Sequence, residues 1–102
     1  MREGEFDELV RSALDDLPPH IAGALENVAV VVADEDPDDP HLFGLWEAHP
    51  YLPDRITIFR RPLERSFPDR VELAEQVRIT VLHELAHYFG IDEGRLDELG
   101  YA

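Results

Sequence analysis

The segment "HELAHYFGIDE", His83 to Glu93, holds the side chains in this chain best suited to chemistry. His83 and His87 stand four apart, Glu84 follows the first, and Gly90 comes three after the second. Histidines at i and i+4 of a helix point the same way, one turn apart, so both imidazoles can reach one cation. Zinc accepts neutral imidazole nitrogens at about 2.0–2.1 Å. Glu84 lies ~100° further round the helix, which keeps it off the metal but lets it lean over a metal-bound water. The pattern therefore separates two ligands from one general base by geometry alone. A third ligand has to come from beyond Gly90, where the chain can turn sharply because glycine has no Cβ. Asp92, Glu93 and Asp97 are the carboxylates within reach.

Such a site needs a rigid helix. "DRVELAEQVRITVLHELAHYF" is the longest periodic segment, with Asp69 three before Glu72 as a capping-box start and Gly90 as a left-handed stop. With ~100° per residue and His83 at zero, Gln76, His87 and Thr80 fall within ~60° of it. The opposite arc collects Val71, Ala74, Val77, Val81, Leu82, Leu85, Tyr88 and Phe89. The helix thus has a core face and a narrow polar stripe that carries both histidines. Arg78 falls inside the apolar arc, where it has to snorkel or pair with a carboxylate.

The remaining elements are shorter. "EFDELVRSALDDL" sets Phe6, Leu9, Val10, Ala13 and Leu14 on one stripe of an amphipathic helix, which Pro18 and Pro19 end. "NVAVVVAD" reads as a buried strand, "DEDPDDPH" as a loop, and "LFGLW" as a short strand with Phe43 and Trp46 near the core. "RITIFR" alternates and is a strand that Pro62 closes; "DEGRLDELGYA" suits one last short helix.

The bulk numbers set limits. A chain of 102 residues suits a single domain, here 1–102. It has no cysteine, so a metal must be held by His, Asp or Glu. The formal net charge of −14 argues against nucleic acid and anionic membranes as partners. Residues 1–40 carry twelve Asp and Glu against Arg2 and Arg11. The longest apolar run, "VAVVVA", is too short for a bilayer, and the acidic start lacks a signal core, so the expected location is cytoplasmic.

With these elements in view, "HELAHYFGIDE" resembles the metzincin arrangement H-E-x-x-H-x-x-G-x-x-H, with Glu93 where the last His would stand. More closely, "FGLWE", "LPDRITIFRRPLER" and "ELAEQVRITVLHELAHYFGI" are similar to the small bacterial zincin-like metallopeptidases. That resemblance implies an α+β minimal zincin: a small mixed sheet packed on a long active-site helix, with flanking N- and C-terminal helices. It implies one zinc per chain on His83, His87 and Glu93, with Glu84 as base. The activity it implies is peptide-bond hydrolysis by a zinc-activated water, on a peptide or protein substrate. Two departures from larger zincins stand out. The only methionine is Met1, so no methionine-containing turn underlies the metal, and the chain holds no second lobe to wall a cleft. The alternative is a non-catalytic zinc-binding module with an interaction or regulatory role.

Other candidates are weaker. Asp34, Asp36 and Asp38 alternate as in a calcium loop, but the sixth position is Asp39 rather than Gly and the twelfth is Leu45 rather than Glu. His20, His41 and His49 lie beside prolines in loops and read as surface residues, with holding substrate as the lesser alternative. Tyr51, Tyr88 and Tyr101 each carry a hydroxyl suited to an oxyanion, with Tyr88 expected in the core. Arg55, Arg60, Arg61 and Arg65 are expected to balance the acidic surface.

Overall fold

The structure, a computed structural model, describes residues 4–17, 19, 23 and 27–89, apart from the side chains of Tyr88 and Phe89. Among the described residues three helices and three strands follow in the order α1 (Glu5–Asp15), β1 (Val28–Ala33), β2 (Gly44–Glu47), β3 (Asp54–Phe59), α2 (Arg60–Ser66) and α3 (Arg70–Phe89). The architecture is the expected α+β one: a small mixed sheet on a long helix, with an N-terminal helix beside it. The expected C-terminal helix lies outside the described residues. Among the described residues no helix is long and apolar enough to cross a membrane.

The sheet has the order β1-β3-β2. β1 runs parallel to β3, Val28 facing Asp54 and Ala33 facing Phe59. β2 runs antiparallel to β3, Gly44 facing Ile58 and Glu47 facing Arg55. The side-chain alternation of strands then puts Val28, Val30, Val32, Gly44, Trp46, Ile56 and Ile58 on one face. That face meets α3, where Ile56, Ile58, Val77 and Val81 are wholly buried. The α1 stripe of Phe6, Val10 and Ala13 packs into the same core, extended by Leu17. α1 ends at Asp15, short of the two prolines.

Three expectations need correcting. β1 is not a buried strand but an edge strand. Ala29 and Val31 sit on the far side of the sheet, Val31 40 % exposed, because six apolar residues in a row carry no mark of which face is covered. Pro62 does not close β3; it enters α2 at the third position. There a proline costs no intrahelical bond, and both Pro62 and Leu63 are buried. Val71 is 79 % exposed, since the first turn of α3 reaches past the elements that cover its later turns.

α3 starts as its capping pattern predicts: the Glu72 amide donates to Asp69 Oδ2 at 2.9 Å. Arg78 is accounted for by Glu75, one turn back, whose carboxylate accepts from its Nε at 3.3 Å and from Nη2. Trp46 Nε1 donates to Asp54 Oδ2 at 3.2 Å, which ties the β2–β3 hairpin on the helix face. The arginines balance acidic groups as expected. Arg60 lies 2.6 Å from Asp34, Arg65 3.8 Å from Glu35 and Arg55 3.1 Å from Glu47. Asp34 is thereby spent on an arginine rather than on a calcium ion.

Candidate active site

The chemistry-bearing stretch of α3 faces the N-terminal end of β2. His83 is half-buried and His87 is exposed, one turn apart on the same face. Glu84 is only 8 % exposed, which makes it one of the few charged residues buried in the described chain. The burial has a specific cause. Gly44 lies on the sheet face that meets α3, and a Cβ added to it would stand 2.9 Å from Glu84 Cγ and 3.0 Å from Thr80 Cγ2. A glycine at this point lets the strand close over the glutamate stem. Thr80, 7 % exposed, is covered by the same strand, and its hydroxyl donates back to the Gln76 carbonyl at 2.8 Å.

Burial raises the Glu84 carboxyl above the ordinary glutamate range, and His87 and then His83 pull it back. Its Oε2 lies 3.4 Å from His87 Nδ1, so Nε2 is the His87 nitrogen left for a metal. A carboxylate held in a low-dielectric recess beside two imidazoles has the basicity and the position of a proton acceptor.

A cleft of about 300 Å³ opens beside this group. Thr80, His83 and Glu84 of α3 line it together with Asp39 and His41 of the loop before β2 and Gly44 at the start of that strand. His41 had the marks of an ordinary surface residue, and nothing in its spacing signals that the loop before β2 brings it to Glu84. Tyr51, at 95 % exposure, projects from the β2–β3 connection and does not line the cleft. His49 is half-buried and also does not line it. His20, Tyr101 and the side chain of Tyr88 lie outside what the structure describes.

The donor set suits zinc: two imidazoles one turn apart, a carboxylate beside them, and no thiolate competitor in the chain. Among the described residues no three His, Asp or Glu side chains converge on one point. The candidate third ligands Asp92, Glu93 and Asp97 all fall outside the described residues. His41, though in the cleft, forms no such group with His83 and His87.

No curated protein matches the chain. The model of one family does, over residues 25–101, from just before β1 through the helix and the segment after Gly90. Its description is zincin-like metallopeptidase. The match covers well over half of the chain and contains every element that builds the cleft, and so the chain belongs to the zincin-like metallopeptidase family.

Proposed function

We propose that the protein hydrolyses peptide bonds, with His83, His87 and Glu93 as the ligands of one zinc ion and Glu84 as the general base. The observation that carries this reading is the buried Glu84 carboxylate at the edge of an open cleft, next to two imidazoles at ligand spacing. Family membership supports the metallopeptidase class, and the net charge of −14 supports a protein or peptide rather than a nucleic acid as substrate.

Zinc, when bound, supplies Lewis acidity to the water and to the scissile carbonyl. The chain's own groups do the rest. Glu84 accepts a proton from the water as its oxygen joins the carbonyl carbon. It then delivers that proton to the leaving amine as the C–N bond breaks. The recess under Gly44 fixes the glutamate stem, so the carboxylate does not have to be ordered again at each turnover.

The test is Glu84→Gln, which keeps shape and loses basicity. Turnover of a peptide picked from a mixed-sequence library should fall by about 10²-fold or more. Zinc content should be unchanged. Thermal stability without metal should hold or rise, because burial disfavours the charge that the amide removes. If neither protein cleaves any library member while both hold zinc, the non-catalytic zinc-binding module is the correct reading.

A further inference from the structure

Peptide hydrolysis builds negative charge on the carbonyl oxygen, and a donor aimed at that oxygen adds to the polarisation a metal supplies. The tyrosines do not provide one among the described side chains, since Tyr51 does not line the cleft. The described cleft offers three proton-bearing side chains: Thr80, His83 and His41. Thr80 spends its hydroxyl proton on the Gln76 carbonyl. His83 is committed to the metal in the reading above, on which this inference rests. We infer that His41 is the side chain that meets the substrate carbonyl oxygen in the cleft it shares with Glu84.

Two independent observations support the assignment. The first is placement. His41 lines the same cleft as His83 and Glu84. At about 300 Å³ that cleft lies at the lower end of small-ligand pockets, so a substrate group seated in it shares its lining with both His41 and the base.

The second is anchorage. An exposed loop histidine is ordinarily free to wander, and a wandering donor stabilises little. The backbone on both sides of His41 is fixed. Its own amide donates to Asp39 Oδ1 at 3.1 Å, and the Leu42 amide donates to the Asp39 carbonyl at 3.2 Å. Asp36 Oδ1 accepts from the amides of Asp38 at 2.7 Å and Asp39 at 3.1 Å. Arg65 Nη2, from α2, donates to the Pro40 carbonyl at 2.8 Å. Downstream, the Phe43 carbonyl accepts from the Phe59 amide at 2.8 Å, and the Phe43 ring meets Phe67 edge-on at 5.9 Å. The acidic loop that mimics a calcium site is therefore a mount. Its carboxylates hold the turn, and the turn presents an imidazole to the cleft.

The experiment compares the zinc-loaded wild type with His41→Ala, His41→Gln and Glu84→Gln on the best-cleaved member of a mixed-sequence pentapeptide library. The contact strengthens as charge develops, so His41→Ala should lower kcat by about 10²-fold with little change in KM. His41→Gln keeps an N–H donor of similar reach and should recover part of the loss. Zinc content should match wild type in both, and the exposure of His41 leaves folding intact. Unchanged kcat in His41→Ala, alongside a dead Glu84→Gln, overturns this inference and leaves the hydrolase reading standing. Zinc lost together with activity would make His41 a ligand and also overturn it. No cleavage by wild type removes both readings.

Discussion

Gly44 decides where Glu84 sits. Its φ is not in the left-handed region, so the backbone there suits any residue; the need for glycine is purely one of approach. In Gly44→Ala the new methyl meets Glu84 Cγ and Thr80 Cγ2, and either the strand retreats or the carboxylate moves. Overpacking of this kind costs ~1–3 kcal/mol. A misplacement of order 1 Å at a reacting group costs as much as ~10²-fold in rate. Gly44→Ala should therefore lose turnover by about tenfold or more and keep its zinc, since the three atoms nearest the new methyl belong to Glu84 and Thr80 and not to a histidine. Wild-type kcat in this variant would mean that the glutamate is not held from the strand side. At this scale the sequence was readable where spacing carries meaning: His83, Glu84 and His87 announce themselves by periodicity. Gly44 and His41 do not. Their part depends on a strand and a loop crossing a helix some forty residues later, and no local pattern encodes that crossing.

Element boundaries were legible wherever a terminus has its own chemistry. Asp69 caps α3 as its spacing to Glu72 foretells, and Asp69→Ala should cost ~1 kcal/mol. For a domain of about 100 residues this lowers Tm by ~5 °C, readable by calorimetry. α2 was missed because a proline at its third position looks like a strand stop, whereas in a first turn it is compatible with helix. What joins β1 to α2 is ionic. Asp34 at the end of β1 accepts from Arg60 at the start of α2, and the Arg61 amide donates to the Asp34 carbonyl at 2.9 Å. The hydrogen bond and charge of Arg60 hold the Asp34 carboxyl below its ordinary range. A lowered folded pKa contributes stability above the unfolded value of ~3.9 and loses it as pH falls through the folded one. Asp34→Asn should thus have a lower urea midpoint than wild type at pH 7, and the gap should close below pH ~4. A gap that persists unchanged at pH 3 would assign the effect to something other than charge.

The whole molecule carries −14 charges, and the described arginines pair with only some of the acidic groups. Exposed pairs contribute little each, typically ~0–1 kcal/mol, while the summed self-repulsion is long-ranged and screened by salt. Raising NaCl from 0.02 to 0.5 M should raise Tm; a fall would mean that the ion pairs outweigh the repulsion.

Cation binding at the proposed centre should act on the same balance more strongly, because it neutralises charge at one point. A ligand that binds only the folded chain stabilises it by RT ln(1 + [L]/Kd), ~2.7 kcal/mol at a hundredfold excess over Kd. At ~4–8 °C per kcal/mol for a domain of this size, zinc at that excess should raise Tm by ~10–20 °C, and a chelator should reverse the rise. In the proposed centre protons compete with zinc for its ligands, so the shift should shrink in acid. The identity of the third ligand follows from the same measurement. Glu93→Ala should remove most of the zinc-induced shift and leave the metal-free Tm unchanged, whereas Asp92→Ala should keep the shift intact. A full shift in Glu93→Ala with none in Asp97→Ala would transfer the ligand to Asp97. No zinc-induced shift in the wild type would remove the metal centre itself, and with it the role assigned to Glu84.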